Sequence, residues 1–224
     1  MKVRIHREGT NIIFGLVVVL SMFDLFVYNF LRPIWIAWFF IIITLIMFLL
    51  VVNFYRSPRR HFKGERNRAV VSSVDGEVVA LEEVYEDECL HAPAIQLSVF
   101  MSPLNVHANW FPVEGKVTYV RHHSGRFMAA YLPKSSTENE RSTVEIVTPT
   151  GHRVVVRQVA GAMARRIVTY AEEGEDAVID DHLGFIKLGS RVDIYLPIGT
   201  EFLVKIGDKV TGCVTQVAKL PTQS

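Results

Sequence analysis

A predominantly apolar run occupies residues 34–52 and reads IWIAWFFIIITLIMFLLVV. It contains no charged side chain, and a helix of this length, rising about 1.5 Å per residue, approaches the ~30 Å hydrocarbon thickness of a bilayer. Residues 12–31 form a second run, nearly as apolar, that contains Asp24; a carboxylate buried in lipid without a partner is costly. The Arg32-Pro33 turn separates the two runs. The sequence therefore predicts a helical hairpin in the membrane over residues 1–55.

Basic residues flank the hairpin on both sides. The positive-inside rule places both flanks, and with them the rest of the chain, on the cytoplasmic face of the cell membrane. We interpret residues 56–68 as a basic juxtamembrane linker, either a stop-transfer flank or a contact with anionic lipid headgroups. Neither apolar run has the short core and small-residue cleavage site of a signal peptide. The basic residues are Lys2, Arg4 and Arg7 before the hairpin and Arg56, Arg59, Arg60, Lys63, Arg66 and Arg68 after it.

The composition excludes several classes of protein. The 224 residues allow one ordinary domain plus an appendage. With 24 Lys and Arg against 23 Asp and Glu, the formal net charge of +1 provides no global attraction to nucleic acid. The two cysteines, Cys89 and Cys213, are too few and too far apart for a disulfide framework or a CxxC pair. We expect both to be small apolar residues of the core.

Residues 69–224 change to short runs of Val, Ile, Tyr and Phe, broken by Gly, Pro and Asp-Gly. This spacing predicts a mainly β (α+β) domain, barrel-like or sandwich-like, with one helix around 162–172. Three Gly-turn-Val hairpins, beginning at Asp75, Glu114 and Gly207, resemble those of lipoyl and biotinyl carriers, but none contains a lysine in a Met-Lys-Met context. Strands are predicted near 69–73, 77–84, 95–101, 114–123, 127–131, 143–149, 152–159, 184–188, 191–196, 202–205 and 210–218.

Common catalytic motifs are missing from the sequence. It contains no HExxH, GxGxxG, GxxxxGK[ST] or GxSxG pattern, so zincin, Rossmann, P-loop and hydrolase-elbow mechanisms lack their residues. The adjacent His122 and His123 could suggest a metal site, but neighbouring strand residues point to opposite faces. We therefore predict no metal.

Seven short phrases follow one another between residues 54 and 214. They are FYRSPRR at 54–60, VSSVDG at 71–76, LSVFMSPLNVH at 97–107, NER at 139–141, QVAG at 158–161, ARRI at 164–167 and IKLGSRVD at 186–193. Together they resemble the phosphatidylserine decarboxylase family in its short, membrane-anchored, self-processing form. Composition and periodicity alone would not have indicated this chemistry.

The resemblance implies that the chain cuts itself between Gly189 and Ser190. The Ser190 hydroxyl attacks the Gly189 carbonyl, an N-to-O acyl shift forms an ester, and loss of the Ser190 α-proton eliminates Gly189 as a carboxylate. Hydrolysis of the resulting enamine releases ammonia and leaves a covalent pyruvoyl group at residue 190. Glycine on the carbonyl side permits the bent backbone and close approach that this attack requires. Cleavage would yield a β chain, 1–189, and an α chain, 190–224. Longer family members have Thr after the cleaving Ser, whereas Arg191 follows here.

The implied reaction is decarboxylation of phosphatidylserine to phosphatidylethanolamine and CO2. The pyruvoyl ketone would form a Schiff base with the substrate amine and accept the electron pair as CO2 leaves. Asp75 and His107 match the family's proton-handling residues, and histidine has a near-neutral pKa suited to this role. Longer relatives have a second histidine where this chain has Trp110. We therefore expect His107 to serve in catalysis, with His122 as the second candidate.

The substrate headgroup carries a phosphodiester and a carboxylate, so a basic lining is expected. We expect the β and α chains to stay associated, copies of the protein to form a homo-oligomer, and the phospholipid to be met within the membrane. Alternatives are an archaetidylserine-type decarboxylase, a membrane-tethered lipoyl-like β adaptor, and a transporter accessory subunit that binds helices through Asp24. The candidate substrate-binding residues are Arg165, Arg166, Lys134 and Arg141.

Overall fold

The computed structural model divides into two units, Met1–Arg59 and Arg60–Ser224. The boundary falls inside the basic segment 56–68, so residues 60–68 belong to the second unit. The structure describes residues 3–125, 139–161, 166–187 and 190–222.

Two helices dominate the first unit: α1, Arg7–Phe30, and α2, Ile34–Phe54. Both are long and apolar enough to cross a membrane, which confirms the predicted pair of apolar helices. Their large apolar side chains point outward, as Phe14 does with 72% exposure, and a lipid-embedded hairpin would present such a surface. Two short strands pair antiparallel beside the helices, β1, Val3–Ile5, with β2, Arg56–Pro58.

Asp24 has a hydrogen-bond donor on the facing helix. The Thr44 hydroxyl lies 2.9 Å from Asp24 Oδ1, beside a groove of about 280 Å³ between the helices that Ser21 also lines. A donor on a neighbouring helix offsets part of the cost of placing a carboxylate in lipid. The hairpin therefore tolerates the one acidic residue of its first apolar run.

The described part of the second unit consists of short β-strands and turns, which confirms the mainly β prediction. Its β-branched and aromatic runs favour strands because such side chains fit a pleated, buried surface. The strands are β3 Ala69–Val71, β4 Gly76–Glu86, β5 Ala92–Met101, β6 Ala108–Trp110, β7 Gly115–His123, β8 Arg141–Val147, β9 Arg153–Val159, β10 Ile167–Thr169, β11 Asp176–Ala177, β12 His182–Ile186, β13 Ser190–Pro197, β14 Glu201–Phe202, β15 Lys209–Val210 and β16 Gln216–Lys219.

These strands form antiparallel sheets. The largest sheet curls into a half-barrel, and its strand order is β11-β7-β8-β9-β13-β5-β4-β15. Two smaller sheets have the orders β10-β12-β6 and β14-β16-β3. Strand β13 lies inside the large sheet and is hydrogen-bonded on one side to β5 and on the other to β9.

Both faces of β13 are buried. Val192, Ile194 and Leu196 enter the main hydrophobic core, whereas the alternate residues Arg191 and Asp193 lie on the opposite face and form an ion pair at 2.8 Å. This alternation follows from the two-residue period of a strand. Ser190, the first residue of the strand, lies two positions before Val192 and therefore on the same, core-facing side of the sheet.

The structure corrects two predicted elements. The helix expected around 162–172 is wrong in its described part, because residues 167–169 form β10 and pair with β12. The single strand expected over 210–218 is divided into β15 and β16 by a turn in which Cys213 has a φ of 61°. In both cases hydrogen bonding to a distant strand outweighs the local sequence pattern. The strand predicted at 127–131 lies outside the described residues.

The first and third predicted Gly-Val hairpins pair with each other. Gly76 opens β4 and lies opposite Val210 of β15. A Cβ at Gly76 would lie 2.2 Å from the Phe100 carbonyl oxygen, so this position needs glycine to let β5 approach closely. The glycine signals therefore mark close strand contacts.

Both cysteines are buried and free, as predicted. Burial raises the pKa of the Cys89 thiol and of the Cys213 thiol to about 12. Neither thiol is therefore a nucleophile at neutral pH.

Candidate active site

Ser190 is the first residue of β13 and is completely buried. It lies opposite Met101 of β5, and its hydroxyl is 3.3 Å from the Met101 sulfur. Because β13 is hydrogen-bonded on both sides, the backbone that follows Ser190 is held in place. Gly189, the other half of the expected cleavage site, lies outside the described residues.

A tight turn brings His107 back toward the beginning of β13. The turn is closed by a hydrogen bond from the Asn105 amide to the Ser102 carbonyl, 3.0 Å, and it follows Met101, the partner of Ser190. His107 is completely buried. Its carbonyl accepts a hydrogen bond from the Ile186 amide, 3.3 Å, four residues before Ser190. The structure therefore brings His107 and Ser190 to the same region.

The contact made by the His107 ring fixes which nitrogen carries its proton. Nδ1 lies 2.9 Å from the Asn105 carbonyl oxygen, and because a carbonyl can only accept, Nδ1 donates. In neutral imidazole the other nitrogen, Nε2, then carries the lone pair. His107 is consequently oriented to accept a proton through Nε2.

Asp75 lies at the same end of the large sheet as Ser190. It directly precedes β4, and the register places Glu77 opposite Phe100 and Phe100 opposite Arg191. One strand, β5, separates the two positions, which corresponds to roughly 10 Å between strand axes. The Asp75 carboxylate accepts hydrogen bonds from the Arg60 guanidinium, 2.9 Å from Nη2 to Oδ2, and from the Gly212 amide, 2.9 Å.

Trp110 is almost completely buried beside this carboxylate. Its amide donates to the Ser73 carbonyl, 2.8 Å, and its ring lies 4.9 Å from the Arg60 guanidinium carbon. At the position where the resemblance led us to look for a second histidine, this chain therefore has an indole that packs against Arg60. Arg60 is the cationic partner of Asp75.

His122 and His123 lie on opposite faces of β7. The side chain of His122 is 48% exposed, with Nε2 3.4 Å from Glu140, and two strands separate β7 from β13. His123 Nε2 lies 2.6 Å from Glu88. Within the described residues no group of three or more His, Cys, Asp or Glu is arranged to hold a metal ion. The structure therefore does not bring His122 into contact with Ser190.

Two of the four candidate substrate-binding residues are described. Arg166 is exposed, and its carbonyl accepts a hydrogen bond from the Lys187 amide, 3.2 Å; Lys187 precedes Ser190 by three positions in the chain. Arg141 lies opposite Val159, which lies opposite Arg191, so its side chain emerges on the face away from Ser190. Arg165 and Lys134 lie outside the described residues.

A charged network covers the face of the large sheet opposite Ser190. Arg157 lies 2.8 Å from Glu86 and 3.0 Å from Glu88, and it donates to the Tyr195 hydroxyl, 2.8 Å. Burial lowers the pKa of Arg157, but Tyr195 and the neighbouring acidic groups outweigh this effect and raise it. Burial raises the pKa of the Tyr195 hydroxyl. This network joins β13 to β9 and β4, and the Arg191–Asp193 pair lies on the same face of the sheet.

Sequence reasoning missed a second polar network on the Ser190 side. The Gln158 amide nitrogen donates to Asn109 Oδ1, 2.5 Å, and the Asn109 amide nitrogen donates to the His107 carbonyl, 3.2 Å. Gln158 also accepts from Thr169, 2.9 Å. The QVAG phrase contained Gln158 but gave no signal that it faces inward, whereas Asn109 lay outside the quoted phrases.

Sequence reasoning also missed that the basic segment 60–68 folds onto the second unit. The Asp180 carboxylate accepts hydrogen bonds from the Phe62 amide, 2.9 Å, and from Arg66, 2.7 Å. Burial raises the pKa of Asp180, but the bonds from Phe62, Arg66 and His61 outweigh this effect and lower the pKa from 3.8 to about 2. Asp180 thus holds the segment in place as an ionised group.

We expect Asp180→Asn to destabilise the protein by about 2 kcal/mol at pH 7. A carboxyl group whose pKa is lower in the folded than in the unfolded state stabilises the fold at every pH above its unfolded-state pKa. This contribution is lost as the pH falls through the folded-state pKa, so the difference between the two proteins should fall to about half at pH 3. Thermal unfolding of the full chain in detergent should show a melting temperature lower by about 4–8 °C at pH 7. An equal loss at pH 7 and pH 3 would refute the assigned role.

The fold and site define a class: a β-domain preceded by an apolar helical hairpin, with a buried serine, a buried histidine and a partly exposed carboxylate at one end of its largest sheet. The family model for phosphatidylserine decarboxylase matches residues 47–217. The chain belongs to the phosphatidylserine decarboxylase family.

Relatives from several bacteria match almost the whole chain. A phosphatidylserine decarboxylase proenzyme of Parabacteroides distasonis is 51% identical over 217 residues, which cover 97% of this chain and 99% of the relative. The protein of the same name from Bacteroides fragilis is 52% identical over 98% of this chain and 96% of the relative. That of Cytophaga hutchinsonii is 38% identical over 96% of this chain and 98% of the relative.

Proposed function

We propose that this chain decarboxylates phosphatidylserine to phosphatidylethanolamine and CO2, after cutting its own backbone between Gly189 and Ser190. Membership of the phosphatidylserine decarboxylase family supports the reaction. The observation that carries the cleavage is the placement of Ser190: a buried hydroxyl at the first position of a strand held on both sides, with His107 and Asp75 at the same end of the sheet.

The residues present fit a pyruvoyl group derived from Ser190. Its side chain lies among buried residues, including Met101, and is shielded from water. Exclusion of water suits a reactive ketone, which side reactions would otherwise consume. When formed, the ketone supplies a covalent acceptor for the electron pair that decarboxylation leaves behind.

His107 is the proposed proton-transfer residue because Nδ1 is committed to the Asn105 carbonyl and Nε2 carries the lone pair. Asp75, held by Arg60 and Gly212, is proposed to provide a fixed negative charge at the same end of the sheet. His122 remains the second candidate for proton transfer. Arg166, beside Lys187, is the described basic residue best placed to meet the phosphodiester or the carboxylate of the headgroup; Arg165, Lys134 and Arg141 remain candidates.

After cleavage the two chains would stay together through strand pairing. Strand β13 would be the first element of the α chain, and it lies between two strands of the β chain, β5 and β9. Strand β16, also in the α chain, pairs with β3 of the β chain. These ladders pair main-chain groups of β13 and β16 with the β chain, so release of the α chain would break those hydrogen bonds and expose the core residues Val192, Ile194 and Leu196 to water.

The hairpin anchors the catalytic unit on the cytoplasmic face of the cell membrane in this proposal, as the basic residues that flank it suggest. A two-chain lipid stays in the bilayer, so an enzyme tethered at its surface meets the headgroup without extracting the lipid. Association of copies into a homo-oligomer stays a prediction that the mass of the detergent-solubilised particle would test.

The direct test uses purified full-length protein and liposomes containing phosphatidylserine. We expect two chains by intact mass, the smaller lacking one ammonia relative to an N-terminal serine, and release of one CO2 per phosphatidylethanolamine formed. CO2 release from liposomes that contain archaetidylserine tests the alternative that the substrate is an ether lipid. Phosphatidylcholine liposomes, which have no serine headgroup, are the control. A single unmodified chain that releases no CO2 would instead support the lipoyl-like adaptor.

A further inference from the structure

We infer that Arg60 is a positioning residue for self-cleavage: it holds the carboxylate of Asp75 in a fixed position. This inference rests on the proposed function, since it concerns the same cleavage at Ser190. The sequence places Arg60 among the basic residues after the hairpin, where a stop-transfer flank or a contact with lipid headgroups is expected. The structure places it in the interior of the second unit instead, with its side chain only 7% exposed.

The contact between Arg60 and Asp75 is bidentate. Nη1 donates to Oδ1 and Nη2 donates to Oδ2, the second at 2.9 Å. The Asp75 side chain is itself only 13% exposed. A two-point, charge-assisted pair fixes the plane of the carboxylate as well as its position, which a single hydrogen bond would not do.

Two further contacts fix the guanidinium. Its carbon lies 4.9 Å from the centre of the Trp110 ring, a distance at which an arginine is attracted to an aromatic face. Its Nη1 also donates to the Gly212 carbonyl, 3.0 Å, while the Gly212 amide donates to Asp75 Oδ1, 2.9 Å. Arg60, Asp75 and Gly212 thus form a closed ring of hydrogen bonds.

The shape of this ring depends on Gly212. A Cβ at this position would lie 2.8 Å from the Trp110 ring and 3.0 Å from the Val74 Cα, so any larger residue would force the turn away from Arg60. Gly212 belongs to the proposed α chain, whereas Arg60 and Asp75 belong to the β chain. The ring therefore joins the two future chains at the end of the sheet where cleavage takes place.

This arrangement gives Arg60 a role that a surface salt bridge would not have. Exposed ion pairs contribute little, but a buried carboxylate deprived of its cation would have to move or take up a proton. Because reacting groups must be held to within a fraction of an ångström, displacement of Asp75 would slow cleavage without preventing folding of the strands.

The chain offers a matched control in Arg68. Like Arg60 it lies in the segment 60–68 and donates to a carbonyl of the proposed α chain, that of Leu220, at 2.6 Å. No described ion pair joins Arg68 to a carboxylate. Arg68→Gln therefore removes a comparable contact between segments without touching Asp75.

The test follows cleavage of newly synthesised full-length protein in lipid nanodiscs by time-resolved intact mass. We expect Arg60→Gln to slow cleavage roughly 10- to 100-fold, Arg60→Lys to recover part of the rate, and Arg68→Gln to cleave within about twofold of the wild type. If Arg60 acts through Asp75, the double variant Arg60→Gln, Asp75→Asn should be no slower than Asp75→Asn alone.

The outcomes separate this inference from the proposed function. Two results would overturn the positioning role of Arg60 and leave the proposed function standing. One is cleavage of Arg60→Gln at the rate of Arg68→Gln; the other is a double variant whose cleavage is slowed by the product of the fold-reductions measured for the two single variants. Should Arg60→Gln not fold, the same cycle is run with Arg60→Lys, whose charge is retained while the two-point contact is lost. A wild-type chain that never cleaves would overturn both proposals.

Discussion

Ser190→Ala is expected to leave the protein as a single chain of 224 residues without decarboxylase activity. In the proposed mechanism, the substitution removes the hydroxyl that would attack the preceding carbonyl, and with it the source of the ketone on which the proposed chemistry depends. No neighbouring group can replace a hydroxyl attached to residue 190 itself. Intact mass and CO2 release from phosphatidylserine liposomes measure the two losses, and both should be complete.

The folded structure should survive this change, so that the loss can be assigned to chemistry. The Ser190 hydroxyl makes a hydrogen bond to the Met101 sulfur, 3.3 Å, a weak acceptor, and alanine fits the same space. Ser98→Ala is a suitable control, because Ser98 is also completely buried in the large sheet but lies on strand β5 opposite Asp193. Two chains from Ser190→Ala, or one chain from Ser98→Ala, would contradict the assigned cleavage site.

His107→Asn should lower the decarboxylation rate by roughly 10²- to 10⁴-fold, the usual contribution of a positioned general acid or base. Asparagine is chosen because its amide nitrogen can still donate to the Asn105 carbonyl, as Nδ1 of the histidine does at 2.9 Å. The variant thus loses the proton-accepting nitrogen and retains a donor. The rate is measured on fully cleaved protein, so that slow processing is not mistaken for slow turnover.

His152 supplies the control for this experiment. It also makes one ring hydrogen bond to a carbonyl, that of Pro221, at 3.0 Å, and it lies before β9 at the end of the sheet away from Ser190. His152→Asn should decarboxylate at the wild-type rate. Wild-type turnover by His107→Asn would remove His107 from the mechanism and direct attention to His122.

Much of the fold could be predicted because the signals are local. A charge-free run as long as residues 34–52 is rare unless the residues meet lipid, and short β-branched runs between glycines favour strands wherever they occur. The burial of Cys89 and Cys213 followed from their apolar character and the absence of a partner motif. The local pattern around 162–172 misled, because pairing with β12 decides the structure of residues 167–169.

The candidate site was predicted residue by residue but not as a geometry. The seven phrases named Ser190, His107 and Asp75 through a family resemblance, and the structure places Ser190 at the start of β13, Asp75 just before β4, and His107 in the loop that follows β5. They gave no indication that Arg60 would bind the Asp75 carboxylate, since the two residues are 15 positions apart. Gly212 is a further 137 positions from Asp75.

The sequence by itself determined which segments are apolar enough for lipid and which favour strands, because these properties depend on neighbouring residues. The proposed cleavage site at Gly189-Ser190 came instead from the family resemblance of the phrase around it. Only the tertiary structure decided that β13 lies between β5 and β9, that His107 Nδ1 donates to the Asn105 carbonyl, and that Trp110 packs against Arg60. Those outcomes depend on hydrogen bonds and packing between segments far apart in the chain. No local pattern encodes them, because the same strand could pair with several partners until burial of the whole core selects one.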